Sequence, residues 1–151
     1  MHRISTGLAC ALLVAALPLA SRSEAKKPIL LSRAQLAGRI FEDHVPVTKR
    51  QESERGPFTT RDVEIFRSAD RHFDAGVYRA GPNRFTIDEP YGVDEFMYFL
   101  EGGVRLTSSD GSVTTVGEGE AVLVPKGWTG LWDTDGYTKI YVIFSPDKPI
   151  E

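Results

Sequence analysis

From Val63 onward the chain is a succession of short apolar segments separated by turn signals, with no helical stretch between them. This pattern constrains the fold more than any other feature. Val63–Phe66, Phe73–Arg79, Arg84–Ile87, Glu95–Leu100, Val104–Thr107, Val113–Val116, Ala121–Val124 and Lys139–Phe144 read as strands. Between them lie Ala80-Gly81-Pro82-Asn83, Gly102-Gly103, Ser108-Ser109-Asp110-Gly111 and Gly117-Glu118-Gly119. Glycine, proline, asparagine and aspartate supply the backbone conformations that tight turns need, and Asp-Gly between apolar runs marks a hairpin. Strands at this spacing predict an antiparallel sandwich or barrel.

The first 62 residues read differently. Residues 1–25 have the form of a secretory signal peptide. His2 and Arg3 begin it, Leu8 to Ala20 is uncharged and apolar, and small residues follow at Ser23 and Ala25. The apolar run is too short to cross a hydrocarbon core of about 30 Å. This predicts a periplasmic or secreted protein. Cys10, the single cysteine, lies inside that run, so the remaining chain has no disulfide framework and no cysteine for a metal site. Residues 26–62 read as an N-terminal arm and linker. Ser32 is a candidate N-cap for a helix reaching Phe41, with Leu36 and Ile40 near helical spacing. Thr48 to Gly56 is almost wholly polar and reads as a solvated loop. The formal net charge of −3 excludes a broad basic footprint and hence a nucleic-acid partner.

Two segments carry more specific information. One runs from Asp94 through Glu95 to Gly102 and Gly103. The other is Gly117-Glu118-Gly119 through Val124-Pro125-Lys126-Gly127-Trp128. They resemble the two sequence motifs of the cupin superfamily: a glutamate seven residues before a glycine, then a glycine, five residues and Pro-x-Gly. Pro125-Lys126-Gly127-Trp128-Thr129-Gly130-Leu131-Trp132, with Lys139-Ile140-Tyr141 downstream, is similar to the cupin group related to (S)-ureidoglycine aminohydrolase. The resemblance implies an all-β fold. It is a double-stranded β-helix, the RmlC-like jelly-roll barrel, over residues 63–151, behind a short N-terminal arm. It also implies a homodimer.

Metal-binding cupins place two histidines before the glutamate and a third after Pro-x-Gly. Here Asp88 to Asp94 contains no histidine, and Gly130 stands where the third would be. His44 and His72 lie outside both motifs. Only Glu95 matches a ligand position, so no metal and no cofactor are expected. The alternative is an oxygen-rich site for a divalent ion such as manganese, built from Glu95 with Asp88 or Glu89.

Strand parity puts Glu95, Met97 and Phe99 on one face of their strand, and Lys139, Tyr141 and Ile143 together on one face of the last strand. If Glu95 points inward, it needs a partner, because a buried unpaired charge is costly. Lys139 is the candidate. The expected site is therefore Glu95, Lys139 and Tyr141 as acid, base and phenol, with Trp128, Trp132, Met97 and Phe99 lining the cavity. Glu95–Lys139 as a purely structural ion pair stays open, as do core or interface roles for the tryptophans. Three functions follow from this site. The first is an exported, metal-independent cupin binding a small polar molecule. The second is a metal-dependent, aminohydrolase-like enzyme acting on a small ureido or amide substrate. The third is a non-catalytic dimeric barrel.

Overall fold

Strand β5 (Asp94–Gly102) shows how the register is chosen. Glu95, Met97 and Phe99 are buried while Phe96 and Tyr98 are exposed, the alternation expected of a pleated strand with one face in the core. The computed structural model describes residues 27–151, so the signal-peptide reading of residues 1–25 lies outside the described residues. The other strands are β1 (Val47–Ser53), β2 (Gly56–Arg67), β3 (Phe73–Ala80), β4 (Asn83–Ile87), β6 (Val104–Ser108), β7 (Val113–Val116), β8 (Ala121–Val124), β9 (Gly130–Thr134) and β10 (Tyr137–Phe144). Six form one sheet in the order β1-β2-β3-β10-β5-β8. Four form a second, in the order β4-β9-β6-β7. Every pairing is antiparallel. The two sheets enclose Phe58, Met97, Phe99, Leu106, Val124 and Trp132, which makes the all-β jelly roll that the strand spacing implies.

Thr48 to Gly56 is not a loop. It forms β1, the Glu54-Arg55 turn and the start of β2, in register from Val47 against Asp62 to Ser53 against Gly56. The polarity that suggests a loop comes from position: β1 is an edge strand with most of its side chains in water. An edge strand dressed in polar residues is protected against pairing with other chains. The sheet therefore begins before residue 63.

A π-helical turn, Gln35–Arg39, runs into the short helix α1 (Ile40–Asp43). Ser32 and Gln35 begin it with a reciprocal pair of hydrogen bonds. The Gln35 amide donates to Ser32 Oγ at 3.3 Å, and the Ser32 amide donates to Gln35 Oε1 at 2.9 Å. That is a capping box. The segment lies on the outer face of the six-stranded sheet, where Ile40 and Phe41 bury against Val63 and Val77, flanked by Leu100 and Ile140.

Candidate functional site

Glu95 and Lys139 meet inside the barrel. Both are almost fully buried, and Lys139 Nζ lies 2.6 Å from Glu95 Oε1. The neighbouring strands β5 and β10 both direct odd-numbered side chains inward, which brings the two residues together. Lys139 Nζ also approaches Met97 Sδ at 3.0 Å. Three rings surround the ammonium: Trp132 at 5.3 Å, Tyr137 at 5.5 Å and Tyr78 at 5.6 Å from Nζ to ring centroid. Ring faces attract a desolvated cation, so the rings supplement the carboxylate.

The second oxygen of Glu95 accepts from Tyr91 Oη at 2.5 Å. Tyr91 sits in the loop before β5. Its own backbone is tied to the loop after β8, with its amide donating to the Trp128 carbonyl and its carbonyl accepting from the Gly127 amide. Burial, then the Glu95 charge, raises the Tyr91 phenol far above its ordinary range. Burial raises Tyr78 and Tyr137 as well. All three phenols are therefore neutral hydroxyls at physiological pH.

A cavity of about 310 Å³ opens beside this network. Its aromatic wall is Phe58, Tyr78, Phe85, Tyr91, Trp132 and Tyr137. Gln51, Asn83 and Thr86 add polar groups. The ion pair is not itself exposed to the cavity but lies behind it. Tyr91 touches Glu95, while Tyr78, Trp132 and Tyr137 cover Lys139.

The remaining expected residues are placed as follows. Met97 and Phe99 are fully buried core, Phe99 edge-on to Tyr137 at 5.4 Å, and neither lines the cavity. Trp132 does line it. Trp128 does not, and its Nε1 donates to Ser108 Oγ at 3.1 Å. Tyr141 shares the inner face but turns away from Glu95. Its Oη lies 3.1 Å from Asp62 Oδ1 on β2. Gly76 makes that reach possible. It stands opposite Tyr141, and a β-carbon there would lie 2.5 Å from the Tyr141 hydroxyl. Acid, base and phenol therefore do converge, but the phenol is Tyr91. Its sequence signal is a tyrosine four residues before the glutamate, in a loop opened by Pro90.

The donor set does not fit the family's histidine-type metal site. Glu95 spends one oxygen on Lys139 and the other on Tyr91. No cluster of three or more His, Cys, Asp or Glu suited to a metal exists among the described residues. Glu89 is exposed in its loop. Gly130, in the third histidine's place, has φ +155°, and a β-carbon on it would lie 2.2 Å from the Thr107 carbonyl oxygen. A side chain there would run into β6. The ring of His72 is held by the Ser145 carbonyl at the opposite end of β10 from the cavity.

Residues 67–141 match the EutQ-like cupin domain. Among solved structures, a Pseudomonas syringae pv. tomato protein of unknown function from the DUF861 family aligns at 22% identity and TM-score 0.58, over 66% of this chain. This chain spans only 45% of that protein's length. The Clostridium difficile EutQ protein aligns at 20% identity and TM-score 0.52, over 65% of this chain and 77% of its own. An ethanolamine utilization protein Q from Salmonella typhimurium aligns at 16% and 0.50, over 68% and 97%. At these identities the likeness is one of fold. No curated protein matches the chain.

Proposed function

We propose that the chain is a cupin, on its EutQ-like match over residues 67–141 and its antiparallel two-sheet barrel, and that it binds one small molecule inside the barrel without the superfamily's usual metal. The observation that carries this reading is the aromatic cavity of about 310 Å³ backed by the Tyr91–Glu95–Lys139 network. Concave, ring-lined sites with a few converging polar groups are the usual form of small-molecule sites. The rings suit a ligand with a flat or apolar body. The neutral Tyr78 and Tyr91 hydroxyls, with Gln51 and Thr86, suit hydrogen-bonding groups at its edge. Glu95 and Lys139 are spent on each other, so they serve as a neutral, rigid floor that fixes the rings. The leader-like residues 1–25 support a site that works outside the cytoplasm.

The test is a panel of small aromatic and aliphatic acids and amides, read by thermal unfolding and by Trp132 emission in a Trp128→Phe background. A ligand at 100 times its Kd stabilises by about 2.7 kcal/mol. The expected ligand raises the melting temperature, shifts Trp132 emission and keeps both effects in the presence of a chelator. It loses both effects when Ile87→Phe fills part of the cavity. A panel with no effect on either signal, or a response abolished by chelation, overturns the reading.

A further inference from the structure

Two hydroxyls that line the cavity have each given their one proton to a carboxylate. Glu95 is paired with Lys139 and can only accept, so the Tyr91 hydroxyl donates to Glu95 Oε2. At the mouth, the Thr86 hydroxyl donates to Glu54 Oε1 at 2.7 Å. Both oxygens therefore have only lone pairs left for a ligand. Asn83 adds a third acceptor. It is 2% exposed, and its Nδ2 donates to the Gly81 carbonyl at 2.8 Å, which leaves Oδ1 without a partner among the described residues.

No charged side chain lines the cavity. The Lys139 ammonium lies behind the rings and is spent on Glu95. A carboxylate or phosphate entering here would lose its water, meet lone pairs and find no cation, which is costly. Gln51, Tyr78 and Tyr137 can still donate to a neutral oxygen, but none of them carries charge. A group that donates is served differently. Hydrogen bonds in a chain polarise one another, so a hydroxyl donating to a carboxylate is a strengthened acceptor. Glu95 and Glu54 thus project negative character into the cavity through Tyr91 and Thr86. The faces of the surrounding rings carry the same sign.

We infer that the cavity selects an amine: a small flat or apolar body bearing N–H donors and no carboxylate or phosphate. This rests on the cavity reading above and adds the chemical class of its ligand. An amine suits the site better than an alcohol, because a hydroxyl offers one proton while an amine offers two or three to the Tyr91, Thr86 and Asn83 oxygens. The body packs against Phe58, Phe85 and Trp132. Lys139 acquires a role in this selection. By keeping Glu95 ionised it keeps the Tyr91 proton committed, and so fixes Tyr91 as an acceptor.

Titration of the full chain carrying Trp128→Phe, read by Trp132 emission, tests the inference with three ligands on one body: benzylamine, benzyltrimethylammonium and benzoate. Benzylamine is expected to bind at least tenfold tighter than the other two, with its response lost in Ile87→Phe. Adding Tyr91→Phe, with circular dichroism and melting unchanged, should cut its advantage over benzoate at least threefold. The ranking of the three ligands carries the test if Tyr91→Phe fails to fold. Benzoate as tight as benzylamine, with a response that Ile87→Phe abolishes, overturns the amine inference and leaves the cavity reading standing. Benzyltrimethylammonium as tight as benzylamine also overturns it, because charge on the ring faces rather than N–H donation would then select. So does an advantage that a folded Tyr91→Phe leaves unchanged. Silence from all three overturns the inference, and the cavity reading falls with it only if the wider panel is silent too.

Discussion

Glu95 and Lys139 are two charges held away from water, and their energetics are asymmetric. Desolvating both is costly, and their attraction roughly offsets that cost; removing one partner leaves the other buried and uncompensated. Lys139→Met is therefore expected to cost about 3–5 kcal/mol in chemical denaturation. The double variant Lys139→Met/Glu95→Gln should recover most of that loss, because neither charge remains. A double variant as unstable as the sum of the singles would show that the pair does not act as a unit. Asp62 gives a second expectation, with a definite sign. Burial raises its carboxyl above the usual range, with Asp74 and Glu64 adding repulsion against the pull of Tyr141 and Lys139. A raised folded value means that the fold favours the protonated acid. That contribution is whole below the unfolded value of about 3.9 and is lost as pH rises through the folded value. Asp62→Asn keeps an acceptor for Tyr141 but never ionises. It should exceed the wild type in stability at pH 7, with the difference closing as pH falls toward 4. A difference that is constant from pH 4 to 7 would contradict this. Strand parity made legible which residues share a face with Glu95 and which with Lys139, and the resemblance supplied the inward direction of Glu95. Neither could show that Tyr141 crosses Gly76 to β2, because that depends on which strand is the neighbour and on the space an absent side chain leaves.

Among the elements, those with apolar alternation were legible and those without were not. Strands β3 to β8 and β10 fall where alternation and turn residues place them. The polar edge strand β1 escapes because no core face imprints a period on it. Strand β9 escapes for another reason. Gly130 opens it and Asp133 interrupts it, so Gly130-Leu131-Trp132-Asp133-Thr134 shows no apolar run. Its register against β4 and β6 is set by the partners, with Trp132 opposite both Phe85 and Leu106. The same strand explains the empty third ligand position. Gly130 approaches β6 so closely that no side chain fits, a long-range fact that one sequence cannot display. At the N-terminus, Ser32 as the start of a helix was legible from cap chemistry. The π-turn and the +116° φ of Gly38 were not, since they answer to packing of Ile40 and Phe41 on the sheet.

At the scale of the molecule, the β1–β2 hairpin lines the cavity and reaches from the six-stranded sheet to the four-stranded one. Gln51 and Phe58 line the cavity from its two strands, and its tip reaches β4 and β9 through polar contacts. The Glu54 amide donates to the Arg84 carbonyl at 3.0 Å, and Glu54 Oε1 accepts from the Thr86 amide at 2.9 Å and hydroxyl at 2.7 Å. Arg55 donates to the Thr134 carbonyl at 2.8 Å and pairs with Asp133 at 3.2 Å and Asp135 at 2.6 Å. These groups are exposed or partly exposed, so the ion pairs among them are weak and weaken further with salt. A hairpin fastened this way is held shut by weak, screenable contacts, whereas the strands behind the cavity are held by the core. It belongs to the low-stability end of the molecule, where binding-site closures are drawn from. Replacing Glu54 and Arg55 by alanine should therefore change the opening of the cavity more than the stability of the fold. In the Trp128→Phe background Trp132 is the only remaining tryptophan, and it lines the cavity. Its quenching by acrylamide should rise with Glu54→Ala/Arg55→Ala. Raising salt to 0.5 M should raise the unsubstituted hairpin's quenching toward the same level, while the cooperative unfolding transition stays close to the wild type's. Quenching that ignores both salt and substitution would mean that the hairpin does not close the cavity and that a ligand enters by another route.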